Sequence, residues 1–142
     1  ILGFIPLFVM IAAFTGAMGI ATDSTAGERE RGSIEALLVN PVSRVTLAAG
    51  KWAAGTATAM LSVIVTGSLL FALFKYIPLQ DLGIRFQLGS SQLVGTLATL
   101  LPLCPLIAAV QMYVATFAKS FKEAQSYLSF LMMVQMVPGM MA

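Results

Sequence analysis

Residues 52–74 read WAAGTATAMLSVIVTGSLLFALF, 23 residues without a charge between Lys51 and Lys75. Wound as an α-helix at about 1.5 Å per residue, the run is about 34 Å long, enough to cross the roughly 30 Å hydrocarbon core of a bilayer. Inside that core every backbone polar group has to bond within its own segment, which is what a helix achieves. The whole chain has the matching composition. It holds 142 residues, of which 58% are hydrophobic and 10% charged, with a mean hydropathy of +0.92. Soluble domains carry about 25% charge. The expected fold is all-α and integral to the membrane.

Working outward from this run, three more apolar stretches predict three more spans. One covers residues 1–22, a second about 93–117 and a third about 124–142, which makes four crossings with residues 52–74. Ile1 is not a methionine, no basic segment precedes the first run, and the last is still apolar at Ala142. The chain is therefore expected to be an internal piece of a longer polypeptide rather than one that opens on a secretory signal. Three connections remain, at residues 23–51, 75–92 and 118–126. Short loops rich in Lys and Arg stay in the cytoplasm. Arg29, Arg31, Arg44 and Lys51 lie in or beside the first connection and Lys119 and Lys122 in the third, against only Lys75 and Arg85 in the second. Residues 23–51 and 118–126 are thus expected inside and residues 75–92 outside. Trp52 and Tyr76 fit interfacial anchors at the two ends of the second span.

Of the 14 charged side chains (8 basic, 6 acidic), eight lie between Asp23 and Lys51. Thr25 and Glu28 have capping-box spacing, so a helical turn is expected to begin near Ala26, and Arg31 and Glu35 stand at pairing distance on a helix face. Gly32 weakens that helix. Ile34, Leu37 and Leu38 then recur at helical spacing, and Asn40-Pro41 ends the pattern because the residue before a proline avoids the helical region. Ser43 is placed to cap the helix that runs through Lys51 into the second span. A short amphipathic element of this kind can rest on lipid or meet a protein. Its mixed charge favours the protein, since helices that bind membrane surfaces are rich in Lys and Arg.

Several chemistries are disfavoured by what the chain lacks. A phosphate-binding loop needs G-x-x-x-x-G-K-[ST], but Gly50-Lys51 is followed by Trp52 and Val45 stands where the first glycine belongs. There is no histidine for a metalloprotease or a membrane serine protease, and the single cysteine, Cys104, allows neither a disulfide nor a thiolate cluster. No ionisable residue lies in the four span cores, which disfavours an ion-coupled carrier. Gln111 and Gln135, the largest amides well inside their spans, are candidates for lining a translocation path, although such side chains more often join helices. Gly16, Gly19, Ala53, Ala57, Gly67 and Gly95 allow close helix approach, and Pro102 and Pro105 predict a kink in the third span.

The string GERERGSIEALLVNPVSR (residues 27–44), followed by Gly50-Lys51, resembles the cytoplasmic signature of ABC-2 type transporter permeases, and is most similar to their sodium-exporter (Nat-type) branch. A second string, AKSFKEAQSYLSF (residues 118–130), resembles the segment that precedes the fifth membrane helix of those permeases. The resemblance implies the permease subunit of an ATP-driven exporter, not itself an enzyme, whose cargo includes sodium ions as a candidate. It implies that Glu28, Arg29, Glu30, Arg31, Gly32, Ile34, Glu35, Leu37, Leu38 and Pro41 belong to the element that couples to a separate ATP-binding subunit. ATP and magnesium would be held by that partner and no cofactor or metal by this chain. The remaining implied partners are a second permease copy and the bilayer, with no nucleic acid. The competing reading is a multi-pass scaffold or pore component without an ATPase partner.

Overall fold

The computed structural model describes the backbone of residues 4–76 and 90–141 and the side chains of residues 5–76 and 91–137. Every regular element among them is helical. Helix α1 (Phe4–Thr22) continues through a π-helical turn, Asp23–Gly27, into the short α2 (Glu28–Glu30). Gly32 then turns left-handed at φ 70°, a conformation that a side chain makes costly, and α3 (Ser33–Val39) follows. It stops where Asn40 is extended, at φ −69° and ψ 141°, as the following Pro41 requires. The long α4 (Arg44–Tyr76) starts as expected: Ser43 Oγ accepts the Thr46 N–H at 3.2 Å and so satisfies one of the free donors of the first turn.

Helix α5 (Ser90–Leu100) passes through a 3-10 turn, Leu101–Leu103, into α6 (Cys104–Thr116). This is the interruption that Pro102 and Pro105 predict, since each ring removes a helical donor and crowds the preceding turn. Helix α7 (Phe121–Met141) completes the described chain. The expected connection at residues 75–92 lies, from 77 to 89, outside the described residues.

Among the described residues, three helical stretches are long and apolar enough to cross a membrane: Ile5–Glu30, Arg44–Tyr76 and Ser91–Thr116. The protein is thus multi-pass. Helix α7 has 21 residues but opens on Lys122, Glu123, Gln125 and Ser126, and is not among the three. The first helix runs past residue 22 without a break and α4 begins eight residues before Trp52, so both spans carry helix into the connection expected at 23–51.

Two local expectations give way. No capping box forms at Thr25 and Glu28. Helix α1 does not end there, and the Thr25 hydroxyl donates to the Ala21 carbonyl one turn back. Nor do Arg31 and Glu35 share a helix face, because the left-handed Gly32 stands between them. Arg31 pairs with Asp23 instead.

Helix α1 is central, packed against α4, α6 and α7. Val9, Ala13 and Ala17 meet Ala59 and Val63 of α4 and Cys104 and Ala108 of α6 in one buried cluster. A second cluster joins Ala21 and Ala26 to Ala115, Ala118, Ala124 and Leu128. Small side chains predominate at both, as helices in lipid associate by close backbone approach. A Cβ at Gly16 would collide with the Ser62 side chain and stand 2.9 Å from the Thr58 carbonyl, and one at Gly67 would stand 3.2 Å from Leu97. Gly19 and Gly95 face open space, and Ala53 and Ala57 are exposed, so only part of the small-residue set marks interfaces. Trp52, expected as an interfacial anchor, also donates its indole N–H to the Pro105 carbonyl at 2.9 Å and ties α4 to α6.

Candidate functional site

The four residues Glu28, Arg29, Glu30 and Arg31 occupy one helical turn, where successive side chains point about 100° apart. That turn stands beside the second turn of α4, the residues just past α6 and the start of α7, and each residue reaches a different target. Glu28 pairs with Lys51 of α4, both side chains being about three-quarters buried. Lys51 also donates to the Ser24 carbonyl at 2.7 Å. Arg29 Nη1 donates to the Ala118 carbonyl, just past the end of α6, at 3.0 Å. Glu30 Oε2 accepts the N–H of Phe121, the first residue of α7, at 2.8 Å. Arg31 turns back on its own helix, pairing with Asp23 and donating to the Gly27 carbonyl at 3.2 Å.

The preceding π turn makes this geometry available. Its widened ring displaces the usual helical bonds, and hydroxyls take up carbonyls of the turn before: Ser24 donates to Ile20 and Thr25 to Ala21. The Ser24 carbonyl is then a site for the Lys51 ammonium. Gly27 is hemmed in, since a Cβ there would stand 3.1 Å from Arg31, 3.2 Å from Asp23 and 3.4 Å from the Phe121 ring.

The facing corner between α6 and α7 is also self-bonded. Ser120 Oγ accepts the Glu123 N–H at 3.3 Å, and the Glu123 carboxylate accepts the Lys119 N–H at 2.8 Å. The Tyr127 hydroxyl donates to the other carboxylate oxygen at 2.6 Å. These bonds, the tyrosine's foremost and the Lys119 N–H next, hold the Glu123 carboxyl below the usual carboxylate range. Ser120-Phe121-Lys122-Glu123 has the S-x-x-E spacing of a capping box, a signal that sequence reading missed. No local signal marks Ala118, Phe121 or Asp23 as partners of the charged turn, because those contacts bridge distant positions.

Beyond Gly32 the character changes. Helix α3 has no buried residue. Leu38 is 52% exposed and Val39 86%, Ile34 and Leu37 are half-buried, and Glu35 and Pro41 are exposed. The expected coupling residues therefore fall into two sets: charges bonded within the bundle, and a free apolar helix beside them. The candidate path residues are brought to α1. Gln111 is fully buried and donates to the Phe14 carbonyl at 2.8 Å, with its Oε1 unpartnered. Gln135 reaches the Met10 carbonyl at 3.5 Å. Both amides join helices in this arrangement. Far from the charged turn, an apolar cleft of about 440 Å³ opens between α1, α4 and α5, lined by Ile5, Val9, Phe71, Leu93 and Leu97 among others.

Residues 1–142 match the family described as ABC-2 family transporter protein. The chain is 34% identical over 143 residues to the ABC transporter permease protein NatB of Bacillus subtilis strain 168, an alignment covering 94% of this chain and 35% of that protein. It thus spans about a third of the length of that relative. No solved structure matches the chain.

Proposed function

This chain belongs to the ABC-2 transporter family, and from that premise we propose that it forms the membrane core of the permease subunit of an ATP-driven exporter, with α3 docked on a separate ATP-binding subunit. The family is a membrane component of transport and the chain is a multi-pass cell-membrane protein. The observation that supports α3 as the docking element is its exposed apolar face, Leu38 and Val39 above all, at the end of the bundle where basic residues gather. That end is cytoplasmic by the distribution of Lys and Arg.

In this reading, closure of two ATP-binding subunits on ATP pushes α3, and the push re-angles α1 and α4. Ile34, Leu37 and Leu38 enter a groove of the partner and Glu35 sets polar register. ATP and magnesium stay with the partner, and a second permease copy completes the path. Helix α7 makes the fourth crossing from about Ala124: the helix from there to Met141 reaches about 27 Å, close to the thickness of the hydrocarbon core. The cargo we infer is sodium ions, on the resemblance of the string at residues 27–44 to the sodium-exporter branch. Gln111 and Gln135 would reach that path only if α1 moves away from them.

The test is co-purification. Leu38→Glu or Glu35→Arg should abolish capture of the ATP-binding subunit and sodium efflux together while the permease still accumulates in the membrane. Capture unchanged in both variants would refute the docking role and favour a scaffold whose α3 rests on lipid.

A further inference from the structure

We propose that Arg29 and Glu30 form a charge-matched clamp through which a push on α3 is delivered to the corner between α6 and α7. The proposal rests on the docking reading above but concerns a different output, since that reading moves only α1 and α4. Adjacent residues of α2 close the two facing helix ends. The guanidinium of Arg29 sits on a carbonyl at the C-terminal end of α6, where the helix carries partial negative charge, and the carboxylate of Glu30 takes the first N–H of α7, where it carries partial positive charge. Each charge is on the end that it stabilises, and a swap of the two would place both against the helix dipoles. Charge-assisted bonds of this kind are the stronger ones.

The clamp has a stiff backing. Ala26, Ala115, Ala118, Ala124 and Leu128 are at most 1% exposed and lie in one cluster directly beneath it. Gly27 lies close to the Phe121 ring, which would stand in van der Waals contact, at 3.4 Å, with a Cβ at that position. The end of α1 therefore cannot shift without taking the α6–α7 corner with it. By contrast, α3 joins α2 through Arg31 and the left-handed Gly32, with the Ser33 hydroxyl donating to the Glu28 carbonyl at 3.2 Å, and contributes nothing buried. Input and output are thus adjacent in the chain and separate in space: α3 is free to be pushed, and the next turn is bonded to two helices remote in sequence. Through Glu28 and Lys51 the same turn also holds α4, so one displacement reaches every long helix of the bundle.

The experiment uses the assembled transporter in membranes. Arg29→Ala with Glu30→Ala should leave capture of the ATP-binding subunit and ATP hydrolysis within about twofold and lower efflux by tenfold or more. Glu30→Gln, which keeps an acceptor oxygen for the Phe121 N–H but loses the charge, should lower efflux by about threefold to fivefold, less than the double variant does. If the double variant does not accumulate, Arg29→Met, which keeps the stem and loses the donor, is read in the same way. Unchanged efflux would overturn the clamp while leaving α3 docking intact. Loss of capture equal to that of Leu38→Glu would overturn it differently, by making Arg29 and Glu30 docking contacts. Capture that survives Leu38→Glu itself would remove the docking reading and with it the push that the clamp transmits.

Discussion

Gly16 shows how little room the α1–α4 contact leaves. A side chain there meets Ser62, which can rotate, but also the Thr58 carbonyl at 2.9 Å, which cannot move without its helix. Gly16→Val should therefore destabilise the bundle by about 1–3 kcal/mol, the usual range for overpacking, read as a lower thermal midpoint in detergent. Gly19→Val, at an open position, serves as the control. Gln111 poses the opposite case. Its amide makes one good bond to Phe14 and leaves Oε1 buried and unpartnered. A bond contributes about 1 kcal/mol net and an orphaned acceptor costs a similar amount, so the two nearly offset. Gln111→Met should alter stability by less than about 1 kcal/mol. If it also leaves cargo preference unchanged, the amide is an interhelical link and not part of a path.

At the scale of elements, the informative features are where helices stop. The corner before α7 depends on Glu123 being ionised, because its carboxylate accepts from the Tyr127 hydroxyl and the Lys119 N–H. Its lowered titration gives the sign of the pH effect. The contribution is complete above the ordinary carboxylate range and is lost as pH falls through the lower folded value. The stability difference between the native chain and Glu123→Ala should thus narrow on acidification, as thermal melts at stepped pH would show. A difference that widens would contradict the assignment. Gly32 ends the charged turn at φ 70°, a conformation that costs a residue with a Cβ about 1–2 kcal/mol. Gly32→Ala should strain the joint between α2 and α3 and reduce efflux, with the helices themselves intact by circular dichroism.

For the whole molecule the central claim is orientation. If α3 and the α6–α7 corner face the cytoplasm, single cysteines in a Cys104→Ser background should divide by side. Those at Glu35 and Lys122 should resist an impermeant thiol reagent added to intact cells, and one at Tyr76 should react. Exposed Leu61, Ile64, Val65, Leu69 and Leu73 along α4 belong to the face that lipid or further helices cover.

The sequence by itself determined three of the four expected membrane-spanning helices, because a run of apolar residues has one low-energy way to carry its backbone through a hydrocarbon layer. It also determined the local stops, at Ser43, Asn40-Pro41 and Pro102, which act through their own backbones. Only the tertiary structure decided what Glu28, Arg29, Glu30 and Arg31 do. Their spacing predicts a charged helical face, and a face is compatible with solvent, lipid or protein. Which of these it meets depends on helix ends some 20 to 90 positions away in the chain. No local pattern encodes that proximity. Charge and spacing state what a side chain can bind, and packing alone states what stands within its reach.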